Sequence, residues 1–304
     1  MPELPEVETI RRQLVKVLVG QKIKKIKVLR KKSLQGDSLK VGGRRIKKVE
    51  RRAKLLLITL IGKQYLMIHL KMTGQLVYVV NTEGSELALR DRPDVKSGLE
   101  VRNQGEYRIV GGHPSSDWGG KLPSKYTRII IELEKGTLFF NDMRGFGWIK
   151  IMGEEEKEIE INKFGPDVNS RQFNFNYLKQ VLKNSGRAVK VIILDQHKIG
   201  GIGNIYANDG LYLAKINPKK PSNKVKEDEI KRLCKALKVV IKKGIKLGGA
   251  SERNFIHVDG MGGSYQKHFL IYGRDGKKCR RCKGIIKKEK VGGRGTYYCP
   301  RCQK

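Results

Sequence analysis

RRAKLLLITLIGKQYLMIHLKMTGQLVYVV, residues 51–80, reads as three successive strands. Leu55–Leu60 and Tyr65–Leu70 are short apolar runs on either side of a Gly62-Lys63 turn, and Leu76–Val80 follows as a third. Upstream the period changes. Val7, Ile10, Leu14 and Leu18 recur at three- and four-residue steps, which predicts a helix, with Glu3, Glu6 and Glu8 in its first turns where the helix dipole favours anions. Downstream, strand character returns at Ile129–Leu133 and Thr137–Phe140. Residues 81–125 between these blocks are polar and turn-rich and read as a long loop or insertion. An α+β chain follows, whose first 152 residues make an N-terminal helix plus a two-layer β-sandwich.

Beyond this block, Glu154, Glu155, Glu156, Glu158 and Glu160 form an acidic run, and Gly165-Pro166-Asp167 marks a boundary. Residues 153–169 are therefore expected to be a linker. Helical faces follow at Tyr177, Leu178, Val181 and Leu182, and at Ile230, Leu233, Leu237 and Ile241, with Cys234 on the apolar side as a core residue. Between them Gly200-Gly201-Ile202-Gly203-Asn204 is a tight turn leading into a helix from about Asn204 to Leu213. Residues 248–266 are glycine-rich and polar and read as a loop. No internal repeat is evident.

Charge narrows the partners. Sixty-five Lys+Arg against thirty Asp+Glu give +35, with a pI near 10.1. Dispersed basic side chains suit a phosphate backbone, so a nucleic acid is the expected partner. The excess is uneven: residues 1–60 hold eighteen basic and five acidic residues, and residues 274–304 hold twelve and two. No apolar run approaches the roughly 18 residues needed to cross a bilayer. The opening Met-Pro-Glu-Leu-Pro-Glu carries acids where a signal peptide is basic and then apolar. A soluble intracellular protein is expected.

Four of the five cysteines form two CxxC pairs, Cys279/Cys282 and Cys299/Cys302, sixteen residues apart. The spacing predicts a tetrahedral four-thiolate zinc site with a β-hairpin between the pairs. Four protein ligands leave no open position, so the zinc is expected to be structural. Arg294, beside Gly292, Gly293 and Gly295, stands where a hairpin tip could reach a phosphate.

Met1 precedes a small residue, and its removal would make Pro2 the terminal amine. An α-amino group titrates near 7.7–8.0, against about 10.4 for lysine. At neutral pH it is therefore neutral far more often and can attack a sugar C1′ to form an iminium. Glu3 beside it could move protons. Alone, proline and glutamate at a helix start are ordinary.

The opening MPELPEVET, the strand entry RRAKLLL (51–57), the turn GIGNIYA (201–207) and the terminal CxxC pairs stand in the order found in formamidopyrimidine-DNA glycosylases, which the chain resembles over nearly its whole length. It resembles the endonuclease VIII enzymes more weakly, since these usually have glycine at the position of Leu4. The resemblance implies a helix–two-turn–helix DNA-binding domain at 170–250, a lesion-capping loop and connection at 251–273, and a zinc finger at 274–304. It implies a bifunctional glycosylase/AP lyase that removes oxidised purines from damaged double-stranded DNA, in the cytoplasm of a bacterium and on its nucleoid, as a monomer without membrane contact. One structural zinc and no catalytic cofactor are expected.

By the same resemblance, Pro2 is the Schiff-base nucleophile, Glu3 the proton donor and acceptor, and Glu6 a second acid near the active site. Lys54 and Arg294 act as proton donors and phosphate contacts. Asn204 and Lys190 hold backbone, and Met72, Arg144 and Phe146 fill the void left by the extruded nucleotide. Tyr126 and Arg128 take DNA-facing positions where the family often has two histidines. Gly145 replaces a commonly basic residue and Asp209 a glutamate near the lesion pocket. These departures bear on substrate preference and rate. Two alternatives remain: an enzyme preferring oxidised pyrimidines, and a non-catalytic zinc-ribbon protein that binds nucleic acid.

Overall fold

Leu55–Leu60 is buried along its entire length, which explains why the segment lacks the alternation of a half-exposed strand. Leu56, Ile58 and Leu60 enter one core while Leu55 and Leu57, pointing the other way, are equally hidden. The computed structural model describes residues 1–80, 121–250 and 263–304, together with the backbone of two strands at 101–103 and 106–112. The chain divides into two units. One comprises Met1–Pro2, Glu6–Glu160 and Gly248–Gly263, the other Glu3–Pro5, Ile161–Leu247 and Ser264–Lys304.

In the first unit the strands are β1 (Ile23–Val28), β2 (Leu34–Gln35), β3 (Ile46–Arg52), β4 (Leu55–Leu60), β5 (Gln64–His69), β6 (Gly74–Val80), β7 (Val101–Asn103), β8 (Glu106–Gly112), β9 (Thr127–Leu133), β10 (Gly136–Asp142) and β11 (Trp148–Met152). They form a six-stranded sheet, β1-β9-β10-β6-β8-β7, and a five-stranded sheet, β2-β11-β5-β4-β3. Every pairing is antiparallel except the short β2–β11 contact. Residues from both sheets share one apolar cluster with Val7, Ile10, Leu14 and Leu18 of helix α1 (Leu4–Leu18). Burying those four side chains contributes about 1.5–3 kcal/mol each before chain entropy is counted.

Two expectations change. The stretch read as a loop at 81–125 contains β7 and β8, which extend the six-stranded sheet at the edge of β6; the rest of 81–120 lies outside the described residues. The acidic run in the expected linker is helix α2 (Glu154–Asn162). It is held by Lys157 to Glu154 and Glu158, by Lys150 to Glu160 at 2.8 Å, and by the Tyr65 hydroxyl donating to Glu154 at 2.6 Å.

The second unit has helices α3 (Phe175–Lys183), α4 (Val189–Leu194), α5 (Asn204–Ala214) and α6 (Glu227–Lys246), then the hairpin β12 (Lys287–Val291) and β13 (Arg294–Tyr298). Ile230, Leu233, Leu237 and Ile241 are all buried on α6, with Cys234 beside them in the core. Among the described residues no helix is long and apolar enough to cross a membrane.

Candidate functional site

Helix α5 begins without a capping side chain of its own, because its N-cap residue is Gly203. The cap comes from the far end of the sequence. Glu3 Oε1 accepts from the Ile205 amide at 2.9 Å and Oε2 from the Tyr206 amide at 3.5 Å. A Cβ at position 203 would lie 2.2 Å from Glu3 Cδ, so only glycine admits the carboxylate. Two amides of this helix end hold Glu3, where amides and dipole favour its negative charge.

Around the same helix end lies a basic cluster. Lys190 on α4 is fully buried, and its ammonium donates to Thr296 Oγ1 at 2.7 Å, the Gly295 carbonyl at 3.0 Å and Asn208 Oδ1 at 3.4 Å. Burial pushes its pKa down to about 7, with Glu3 pulling upward and Arg294 pushing down. Asn204 donates to the same Gly295 carbonyl at 3.1 Å. Asn208, which the sequence reading missed, accepts from the Tyr297 amide at 2.8 Å. One helical turn from Asn204, it is recognisable only by its spacing. Val291 pairs with Arg294 across Gly292-Gly293, both at positive φ, a two-residue turn that leaves Arg294 exposed at the start of β13.

In the first unit Pro2 is buried and Met1 is exposed. Glu6 is buried and accepts the Ala250 amide at 2.7 Å, so it ties down the point where the 248–266 segment begins; residues 251–262 of the expected lesion cap lie outside the described residues. Lys54 is buried in the turn between β3 and β4, after Ala53 at φ +50°. His69, also missed, accepts the Lys71 amide on Nδ1 at 3.0 Å. Burial first, then Lys71 and Lys54, push its pKa down to about 3, so the ring is neutral.

Met72, Arg144 and Phe146, expected as void fillers, come together on the surface. Met72 is 43% and Phe146 57% exposed, values a core role would forbid. Arg144 Nη1 sits 3.0 Å from Met72 Sδ, and its guanidinium lies 5.1 Å from the centre of the Phe146 ring. The clamp beneath them is Asp142, fully buried and absent from the sequence reading. One carboxylate oxygen accepts from the Thr73 hydroxyl and the other from the Gly147 amide at 2.6 Å, while Thr73 Oγ1 accepts the Arg144 amide at 3.0 Å. Arg128 donates to the carbonyls of Asp142, Lys125 and Met143 at 2.8, 3.2 and 3.5 Å, and so supports this loop. The Tyr126 ring lies beneath Lys125 Nζ at 5.2 Å. Asp209 is engaged structurally: it accepts from the amides of Leu270, Ile271 and Tyr272 and the hydroxyl of Tyr265, at 3.0–3.2 Å.

The four expected zinc ligands converge. Their sulfurs all lie within 4.8 Å of one another, with Cys279–Cys302 at 3.8 Å and Cys282–Cys299 at 3.5 Å. Thiolates about 2.3 Å from a tetrahedral zinc sit about 3.8 Å apart, so this donor set fits the ion. The Tyr212 hydroxyl approaches Cys279 Sγ at 3.3 Å, within a small cluster of Tyr212, Ile271 and Ile286.

Three family models match in order: the formamidopyrimidine-DNA glycosylase N-terminal domain at residues 1–149, its H2TH domain at 164–255, and a zinc finger found in FPG and IleRS at 276–304. The formamidopyrimidine-DNA glycosylase of Pelotomaculum thermopropionicum is 36% identical over all of this chain and 99% of its own. The chain belongs to the formamidopyrimidine-DNA glycosylase family. The Thermus thermophilus glycosylase is 33% identical across the whole of this chain and 98% of its own. A crystal structure of the protein from that species superposes with a TM-score of 0.79, at 32% identity over 99% and 98% of the two chains. The Lactococcus lactis enzyme, solved with DNA containing an abasic site, gives 0.80 at 30% identity over 99% of both. As its family and its four thiolates indicate, this glycosylase carries one structural zinc.

Proposed function

We propose that this chain excises oxidised purines from duplex DNA through its N-terminal proline and then cleaves the abasic strand. Glycosylase activity is that of the family; the residue roles are our reading. Once Met1 is removed, the Pro2 nitrogen attacks C1′ of the extruded nucleotide, the C1′–N bond breaks, and the base leaves with a proton. A secondary amine gives an iminium that cannot lose a proton from nitrogen, so it stays cationic and acidifies the C2′ hydrogen. Its loss expels the 3′ phosphate, and a second elimination expels the 5′ phosphate. Glu3 moves the protons, and Lys54, Lys190, Asn204 and Arg294 hold the backbone, with Lys54 and Arg294 also placed to donate protons.

The observation that carries the reading is the assembled wedge of Met72, Arg144 and Phe146, exposed side chains held from beneath by a buried carboxylate. A glycosylase must fill the vacated stack, and this cluster suits that task. Residues 1–152 form the catalytic domain in this reading, 170–250 and 274–304 bind DNA, and the zinc holds the β12–β13 hairpin. The protein works as a monomer in the bacterial cytoplasm, on damaged DNA and away from membranes.

Borohydride should trap a covalent adduct with DNA containing 8-oxoguanine, and peptide mapping should place it at Pro2. Chains that retain Met1, identified by intact mass, should bind the duplex yet trap at least a hundredfold less. An equal yield from both forms would refute the proline mechanism. Comparing excision of 8-oxoguanine opposite cytosine with excision of thymine glycol tests the purine preference.

A further inference from the structure

Between Arg144 and Phe146 stands Gly145, at φ +66°, and the space beside it is filled. A Cβ there would fall 1.5 Å from Nη1 and 2.4 Å from Cζ of Arg30. The Arg30 guanidinium occupies the place that a side chain at 145 would take. Its backbone is fixed just beyond β1: the amide donates to the Arg128 carbonyl at 3.1 Å, and the carbonyl accepts from the Ser33 amide at 3.0 Å.

Arg44 is seated against Gly62 in the same way, its Nη1 lying 1.9 Å from the would-be Cβ. Arg44 has an evident structural task, donating to the carbonyls of Lys40 at 2.6 Å and Ile61 at 3.1 Å. Arg128 likewise commits three donors to carbonyls. Arg30 differs. Among the described residues its guanidinium has neither a hydrogen-bond acceptor nor a carboxylate in ion-pair range, which leaves five N–H donors available. Its surroundings are cationic, with Lys31 and Lys32 exposed next to it and Arg144 flanking the same glycine. With the Asp142 carboxylate turned to Thr73 and Gly147, the exposed cations of this loop favour an anion beside them. A planar fork of free donors suits a phosphodiester better than it suits water.

We propose that Arg30 is a phosphate-binding residue of the DNA interface, its guanidinium laid against Gly145 so that it grips the backbone beside the base step entered by Met72, Arg144 and Phe146. This rests on the wedge reading above. Gly145 then serves as the seat: a larger residue there evicts Arg30.

The test is binding to a duplex carrying a stable tetrahydrofuran abasic analogue, followed by anisotropy between about 50 and 200 mM salt. Arg30→Ala should weaken binding about five- to tenfold and reduce the slope of log K against log salt by about 0.9, the loss of one phosphate contact. Arg30→Lys should keep most of the slope. Gly145→Ala, whose methyl collides with Arg30 and also strains a backbone at φ +66°, should weaken binding in the same direction. Arg30→Ala/Gly145→Ala should keep the salt slope of Arg30→Ala alone. An unchanged slope in Arg30→Ala, or a further drop in slope in the double variant, would overturn the proposal. Borohydride trapping of the wild type separates the two readings. Without trapping the glycosylase mechanism fails; with trapping but an unchanged Arg30→Ala slope, only this inference fails.

Discussion

A single substitution can separate the observed cap role of Glu3 from the proton transfer we propose for it. As the cap of α5 it accepts two amides, and losing a cap costs about 0.5–2 kcal/mol. Glu3→Gln keeps one acceptor oxygen but turns an amide nitrogen toward a backbone donor, so unfolding in urea should show a loss of about 1 kcal/mol. Base release should fall far more, a hundredfold or beyond in single turnover; a rate loss no greater than the stability loss accounts for would leave Glu3 as a cap alone. Lys190 gives a pH signature. Burial brings its pKa to about 7 in the fold, against about 10.4 in the unfolded chain. Between those values the unfolded chain binds more protons, so stability rises with pH from about 7 to about 10 and this contribution is flat below. Measured as wild type minus Lys190→Met, the gain from pH 7 to 9 should approach but not exceed about 2.7 kcal/mol. Equal pH slopes in the two proteins would contradict it.

At the scale of elements, the wedge is two turns joined by a carboxylate. Asp142→Ala strands the Thr73 hydroxyl and the Gly147 amide, and should cost about 2–3 kcal/mol in thermal or urea unfolding. Asp142→Asn should cost less than half of that, because a threonine hydroxyl can accept from the new amide while the remaining oxygen serves Gly147. The zinc hairpin has few apolar residues of its own, so a strong chelator should release one zinc per chain and loosen β12–β13, which hydrogen exchange would detect. The hairpin and the β4–β5 pair were legible in sequence because their signals are local: cysteine spacing in one, apolar runs around a glycine turn in the other. Asp142, His69 and Asn208 were not. Their partners come from other elements, and only the fold makes an ordinary aspartate into a clamp. The α2 helix escaped notice because five glutamates read as solvated spacer, whereas Lys157, Lys150 and Tyr65 give them partners.

For the molecule as a whole, the excess of thirty-five positive charges sets how it meets DNA. Affinity for undamaged duplex should fall steeply with salt, and the lesion-containing site should keep a larger share of its affinity, since the stacking we propose for the wedge is not electrostatic. Equal salt slopes together with equal affinities for the two duplexes would argue for a non-catalytic binding protein. The order of the three family matches was visible in sequence from four motifs, and the resemblance they carry spans the chain. The joining of Glu3 to α5 was not, because no local pattern announces a cap supplied from 202 residues away.

That cap has a consequence for synthesis. Residue 3 leaves the ribosome long before residue 206; at about 5–20 residues per second, roughly 10–40 s pass before both of its amide partners exist. During that interval the start of the chain has no α5 to dock against, and the mechanism we propose would need a peptidase to remove Met1 then. On that proposal unmasking precedes enclosure, and a nascent chain interrupted before α5 would display its terminal amine without the helix that anchors its neighbour. On the mechanism we propose, timing as much as geometry then decides whether a finished molecule is armed.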